Sequence, residues 1–407
     1  MDLIIVGGGA AGMLCAIGAA RKGKSVAIIE KNEKLGKKLF ISGKGRCNLT
    51  NIAEREEFFA SIYTNSKFLY SSFSEFNNKD IMELVENNGT PLKVERGGRV
   101  FPKSDKSSDV IKAFKRELDK LKVKIVLNTE VKGIVIEDGR AAGVLTSKGE
   151  FKGSAVVICT GGMSYSSTGS TGDGYRFAKE AGHKVTELCP SLVPINCSND
   201  FLKDLQGLTL KNVALVCKRG GKTLYNEQGE MLFAHFGISG PLVLTLSSVL
   251  GKTDFKEIEA FIDLKPALDE ETFKNRLLRD FKEFNNKQFN TYLSELLPKT
   301  LIPVFISRLN ESGLDEKTKV NAITKEQRKA IIELLKHFKL DITGYRPIDY
   351  AIITKGGVDV KEINPKTMES KLVKGLYFAG EVLDIDGKTG GFNLQIAFST
   401  GYCAGTN

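Results

Sequence analysis

The sequence predicts an α/β fold in which both ends of the chain build one domain and the middle forms insertions. Three observations predict it. Residues 2 to 6, DLIIV, are a short β-branched run that opens into the glycines of VGGGAAG. GLYFAGEVLD, residues 375 to 384, has the same strand-then-glycine character near the other end. Between them, after Pro190, the chain turns first strand-rich and then charged and helical.

Taken in order, DLIIV reads as a buried parallel strand by its length and branching. Residues 7 to 12 make a turn, residues 10 to 22 a helix, and SVAIIE (25 to 30) a second strand. Residues 122 to 158 read as a meander, with turn signals at Asp138-Gly139 and Lys148-Gly149. Residues 191 to 265 are strand-rich and contain a Gly220-Gly221 turn. Residues 267 to 340 are helical, and EQRKAIIELLKHF sets Ile331, Leu334, Leu335 and Phe338 on one stripe. Strand character returns in AIITKGGVDV. The expected parse is a discontinuous domain of residues 1–190 and 347–407, a β-rich cap or substrate domain at 191–265, and a helical domain at 266–346.

Composition narrows the class. The 407 residues suffice for two or three domains, and 41% apolar content is ordinary for a globular protein. No apolar run approaches the roughly 18 residues of a membrane span. MDLIIVGGG lacks a basic leader, so a signal peptide is not expected and a cytoplasmic location is. Seven cysteines without a C-x-x-C pair, and three histidines, point away from structural zinc and disulfides. The net charge of +10 is uneven: residues 30–46 hold six cations and two anions, and residues 203–222 five cations and one anion. Such clusters suit either a solvated surface or a phosphate-rich partner.

The glycines carry the chemistry. Gly7, Gly9 and Gly12 form G-x-G-x-x-G between a strand and a helix. The first permits a tight turn, the second a close pyrophosphate, the third close helix–strand packing. The helix N-terminus offers unpaired N–H groups and a positive dipole end. Glu30 ends the second strand, eighteen residues after Gly12, where a ribose-binding acid belongs. Lys31 beside it is assigned to the cofactor as well. An acid there disfavours a 2′-phosphate. The C-terminal end argues for FAD: Thr160, Gly161 and Gly162 close one strand, Gly380 and Glu381 another, and Gly390-Gly391 turns into a helix near Phe392, Asn393 and Leu394. That helix can aim its dipole at the pyrimidine edge of a flavin, a contribution of about 0.3–2 kcal/mol. The fold class is therefore a two-part Rossmann-like FAD-binding domain with a β-rich and a helical insertion.

On these motifs the chain resembles the BaiN/YhiN-like family of bacterial FAD-dependent oxidoreductases, itself distantly similar to fumarate-reductase flavoproteins. The matching stretches are IIVGGGAAG, EKNEKLGKKLFISGKGRCNLTN, CTGGMSYSSTGSTGDGY, AHFGISGP, ITKGGVDVKEINPKTMESK and GLYFAGEVLDIDGKTGGFNLQIAFSTG, in order over nearly the whole chain. The resemblance implies FISGKGRCNLTN as a loop crossing the flavin. Ser42, the N–H groups at Gly43 and Gly45, Arg46 and Asn48 would donate to pyrophosphate or ring oxygens, and Lys37 and Lys38 would balance phosphate charge. Cys47 has two readings, a packing residue on the flavin or an acid whose pKa Arg46 lowers. His235, in AHFGISGP, is a candidate proton donor or a structural histidine. Asp173 is expected to order a helix start, and Val131 to offer backbone to adenine.

The family's chemistries include reduction of a uracil double bond in ribosomal RNA, reduction of unsaturated bile-acid intermediates and oxidation of small amines. The leading expectation is an NAD(P)H-driven reductase of an activated C=C bond, with ribosomal RNA uridine as substrate and dihydrouridine as product. NAD(P)H would bind transiently, since no second glycine fingerprint has strand context. A small-molecule enone reductase or aminoacetone-type amine oxidase is the alternative. A flavin-containing RNA-binding assembly factor without turnover is the third reading. No metal is expected.

Overall fold

The computed structural model describes residues 1–309 and 313–407. They divide into two compact units, residues 1–191 with 347–407, and residues 192–346.

The core of the first unit is a five-stranded, all-parallel sheet. Its order is Leu376–Phe378, Val156–Ile158, Leu3–Val6, Val26–Ile29 and Lys124–Val126. Helices cover both faces of such sheets, so their strands are apolar throughout rather than alternating. LIIV and VAII are accordingly buried at every position. The ends of the expected meander join this sheet, while only its middle, Val131–Glu137, Arg140–Thr146 and Gly149–Lys152, is an antiparallel sheet. The Asp138-Gly139 turn there takes the left-handed geometry that a two-residue hairpin loop needs, with φ of 49° and 75°.

Two helices flank the sheet side by side. Ala10–Arg21 follows the first strand, and Phe392–Thr406 ends the chain. Glycines let them touch: a Cβ on Gly401 would lie 2.2 Å from the Ala11 carbonyl oxygen, and one on Gly405 2.1 Å from that of Cys15. Residue 11 meets 401 and residue 15 meets 405, so the helices run parallel. Phe392 stands nine residues before Gly401, and Ala10 one before Ala11. The C-terminal helix thus begins about 12 Å before the first helix along their shared direction, at ~1.5 Å per residue.

The second unit is a seven-stranded antiparallel sheet with helices packed on it. Its strand order is Phe338–Leu340, Ile258–Asp263, Thr209–Arg219, Lys222–Ala234, Gly237–Ser239, Ile195–Cys197 and Ile342–Tyr345. One hydrophobic core runs from Ile195 to Ile342. The boundary expected near residue 266 therefore separates two stretches of sequence and not two cores. The strand-rich and helical parts cannot bury their apolar faces alone and share them. Helix Lys325–Lys336 buries Ile331 and Leu335 as its stripe predicts, but Phe338 belongs to the strand that follows.

A candidate cofactor site in the two-part unit

At the first turn, Gly7 takes φ +102°, and a Cβ there would meet the Cys159 carbonyl oxygen at 2.6 Å. A Cβ on Gly12 would lie 1.9 Å from the Gly7 oxygen. A Cβ on Gly9 would meet nothing within 4 Å. Two glycines are thus fixed by packing, while the third faces open space at the helix N-cap. That arrangement leaves room for an anion on the helix N-terminus.

Glu30 is buried beside this turn. Its Oε2 accepts from the Gly8 N–H at 2.7 Å, and its Oε1 from the Asn32 N–H at 2.8 Å and the Asn32 Nδ2 at 2.6 Å. An ionised carboxylate has about four acceptor positions. Three are used, and the spare one is on Oε2. Lys31 binds Asp173 at 2.7 Å and Thr171 at 2.6 Å. Asp173 is the first residue of helix Asp173–Glu180, but Gly172 is the N-cap and the Asp173 carboxylate makes no cap hydrogen bond, accepting instead from Lys31 and the Thr171 hydroxyl.

The turn after strand Val156–Ile158 adds Thr160, whose hydroxyl is buried without a hydrogen-bond partner. Gly162 lies against Thr354 and Glu381, which a Cβ would approach to 2.5 and 2.8 Å. Glu381 binds Lys38 Nζ at 2.7 Å and the Thr354 N–H at 2.9 Å, with the Ser164 hydroxyl at 3.3 Å. The Gly380 N–H donates to Thr400 Oγ1 at 3.0 Å.

FISGKGRCNLTN is partly helical, contrary to expectation: Phe40 and Ile41 end helix Lys37–Ile41. Ser42–Gly45 then form a tight turn with Gly43 and Lys44 left-handed, and the Ser42 hydroxyl donates to the Leu39 carbonyl at 2.7 Å. Gly45 faces open space. The loop's far end is fastened to the start of the C-terminal helix. The Asn48 amide accepts from the Gly391 N–H at 3.1 Å and donates to the Thr50 carbonyl at 3.2 Å. Asn51 Nδ2 donates to the Gly390 carbonyl at 3.1 Å, and the Thr50 hydroxyl to Gln395 Oε1 at 2.7 Å. A Cβ on Gly391 would strike Thr50 at 2.4 Å. Asn393 closes the preceding turn through Gly387 and Lys388, and Phe392 packs in the core beside Leu394. Asn32, Thr50, Asn51, Thr354 and Gln395 were not among the expected site residues. Except for Asn32, which bonds Glu30 two residues away, they have partners far off in sequence, so no local pattern marks them.

Two expectations about the loop change. Arg46 lies over the Phe101 ring at 4.2 Å and is paired with both Glu95 and Asp105, so carboxylates occupy its donors. Cys47 is fully buried, and burial pushes its thiol up to about 12, against the expected lowering by Arg46. The guanidinium is turned to the acids, and desolvation prevails over a neighbouring charge. In the folded protein at mildly alkaline pH, Cys47 is expected to resist iodoacetamide and to react once denatured. Mass spectrometry of the alkylated peptide checks this.

The cation cluster at residues 30–46 is also largely internal. Lys31, Lys37, Lys38 and Arg46 pair with Asp173, Glu33, Glu381 and the Glu95–Asp105 pair. In the other cluster Arg219 pairs with Glu257, whereas Lys203, Lys211 and Lys222 are exposed. Val131 opens its strand in the first unit. His235 is exposed on the turn between strands Lys222–Ala234 and Gly237–Ser239 of the second unit, edge-on to Phe236. No described helix is long and apolar enough to cross a membrane.

The family model for the HI0933-like protein Rossmann domain matches residues 1–407. The chain belongs to this family. It is 35% identical over 409 residues to a ribosomal RNA dihydrouridine synthase of Haemophilus influenzae, covering 98% of this chain and 97% of that one. It is 33% identical over 411 residues to a 3-dehydro-bile acid delta(4,6)-reductase of Clostridium scindens, with the same coverages. Among solved structures, 3-ketosteroid delta1-dehydrogenase from Sterolibacterium denitrificans shares the fold with a TM-score of 0.54 at 14% identity, over 99% of this chain and 98% of that one. This HI0933-like protein is an FAD-dependent oxidoreductase. The site fits FAD on its own geometry: an open helix N-cap at Gly9, a spare acceptor on Glu30, and a second, parallel helix whose N-terminus lies about 12 Å behind the first.

Proposed function

We propose that this protein reduces a C=C bond conjugated to a carbonyl, with uridine in ribosomal RNA as substrate, dihydrouridine as product and NAD(P)H as electron donor. The observation that carries the substrate is near full-length similarity, at 35% and 32% identity, to two chains named ribosomal RNA dihydrouridine synthase. The bile-acid reductase at 33% supports the bond type, an activated C=C, and keeps a small-molecule enone as the second reading.

Bound FAD supplies hydride chemistry; the protein positions the reactants and excludes water. Glu30 Oε2 takes an adenosine ribose hydroxyl. The N–H groups at the start of helix Ala10–Arg21 take the pyrophosphate. Those at the start of helix Phe392–Thr406 would serve the pyrimidine edge, where the dipole would favour negative charge. Lys38 is held by Glu381 beside the Gly161-Gly162 turn. Exposed lysines such as Lys203 and Lys211 contribute salt-dependent attraction to RNA.

Anaerobic reduction of the purified flavoprotein with NADPH or NADH, followed by unmodified ribosomal RNA, tests the proposal. Flavin reoxidation with dihydrouridine in the RNA is the expected result. Reoxidation by a steroid enone but not by RNA would replace the substrate. Peroxide release in air, with neither acceptor used, would point to an oxidase.

A further inference from the structure

Residues 93–106 hold five cations and two anions. Most of them lie on the hairpin of strands Leu92–Glu95 and Arg99–Pro102, in the first unit. Pairing sets Lys93 opposite Phe101 and Glu95 opposite Arg99, so these four share one face. Arg46 lies over the Phe101 ring on that face. Glu95 and Asp105 are met there by Arg46, Lys93 and Arg99. Three cations against two carboxylates leave the face positive. Arg96 and Lys103 are exposed beside it and enter no ion pair among the described residues.

The hairpin turn is Arg96, Gly97 and Gly98, with both glycines left-handed. It is fastened to the turn that opens the C-terminal helix. Asn51 Nδ2 donates to the Gly97 carbonyl at 2.8 Å and to the Gly390 carbonyl at 3.1 Å. One amide thus joins the hairpin turn to the Gly390-Gly391 turn, beside the N–H groups assigned above to the flavin. The Ile52 N–H also donates to the Gly98 carbonyl at 2.8 Å. A Cβ on Gly97 would meet nothing within 4 Å, so the turn is open to an approaching chain. Arg99 Nε donates to the Arg96 carbonyl at 3.0 Å, which holds its guanidinium at the turn, and 44% of its side chain is exposed. Only 14 of the 59 cations in the chain are arginine, yet both cations beside this turn are. The planar fork of arginine matches phosphate oxygens two at a time.

We propose that Arg96 and Arg99 grip phosphates of a single-stranded stretch of RNA and so hold the target uridine beside the flavin. This names a binding surface for the substrate of the reductase reading above and rests on it. A uridine must leave its stack to meet a flavin ring, so the RNA presents a loop or an open strand there. The phosphates flanking the splayed base come with it, and cations fastened to the flavin turn meet them. Arg46 and Lys93 serve this surface indirectly, since they neutralise Glu95 and Asp105, which would otherwise repel the RNA. A steroid enone brings no phosphate for the two arginines.

The test uses the flavin-loaded full chain, unmodified ribosomal RNA and the paired substitution Arg96→Gln with Arg99→Gln. Both side chains are at the surface, so flavin content, melting temperature and reduction by NADPH or NADH should hold. RNA affinity at low salt should fall about tenfold. The slope of log affinity against log salt should shrink by about 1.4, at ~0.7 per single-strand phosphate contact. Dihydrouridine formation should show a raised KM with kcat held, as expected when uniform binding is lost. Arg96→Lys with Arg99→Lys keeps the charge and should keep most of the slope. Lys132→Gln with Lys152→Gln removes the same charge from the three-stranded antiparallel sheet of this unit and should leave the slope alone. An unchanged slope in the Arg→Gln pair, an equal loss in the lysine control, or an unaltered protein that does not bind RNA overturns the proposal. RNA that binds with the full salt slope but is never reduced would overturn the reductase reading instead. The slope of the Arg→Gln pair would still decide the surface.

Discussion

Gly401→Val is expected to lower the melting temperature and empty the protein of flavin together. A Cβ at Gly401 would lie 2.2 Å from the Ala11 carbonyl oxygen, and that oxygen belongs to a helix backbone with no freedom to turn aside. The helices must separate. Overpacking of this kind costs typically about 1–3 kcal/mol, or roughly 2–12 °C for a unit of this size. Ala11 follows the open N-cap of the first helix, so the same displacement moves the N–H groups assigned to pyrophosphate. Gly133→Ala is the control. Nothing lies within 4 Å of a Cβ there, and the backbone is not left-handed, so stability and flavin content should both hold. Thermal unfolding and the flavin-to-protein absorbance ratio report the two effects. A melting point as high as that of the Gly133→Ala variant would show that the helices do not need this contact.

The legible parts of the fold were those coded by local pattern. DLIIV, the glycine turn and SVAIIE show their character within thirty residues, because a parallel strand is a continuous apolar run and a phosphate turn needs glycines at fixed spacing. The Asp138-Gly139 and Gly220-Gly221 turns are legible for the same reason, since few residues accept their backbone geometry. What stayed hidden depends on partners far apart in the chain. Arg46 looked like a free cation because Glu95 and Asp105 lie more than forty-five residues away. Of the two readings of Cys47, the acid rested on its neighbour's charge, which the sequence shows, and not on its burial, which it does not.

Glu30 gives the sharpest test of how FAD is held. Glu30→Ala removes the acceptor of two backbone N–H groups and of the Asn32 amide. The buried Gly8 N–H loses its 2.7 Å partner, and an unsatisfied buried donor costs about 1–3 kcal/mol. The turn assigned to the pyrophosphate is loosened by that loss. The ribose hydroxyl assigned to Oε2 also loses a charge-assisted bond, worth about 1.5–3 kcal/mol. FAD should therefore bind about 10- to 150-fold more weakly from the ribose contact alone, at ~1.4 kcal/mol per tenfold. Riboflavin monophosphate separates the two causes because it lacks the adenosine ribose. If Glu30 holds that ribose, Glu30→Ala weakens FAD more than the mononucleotide in a fluorescence titration of the flavin-free protein. Equal losses for both ligands would confine Glu30 to shaping the glycine turn. The sequence position of the acid would then mark a structural support for the loop, with the ribose left to other donors.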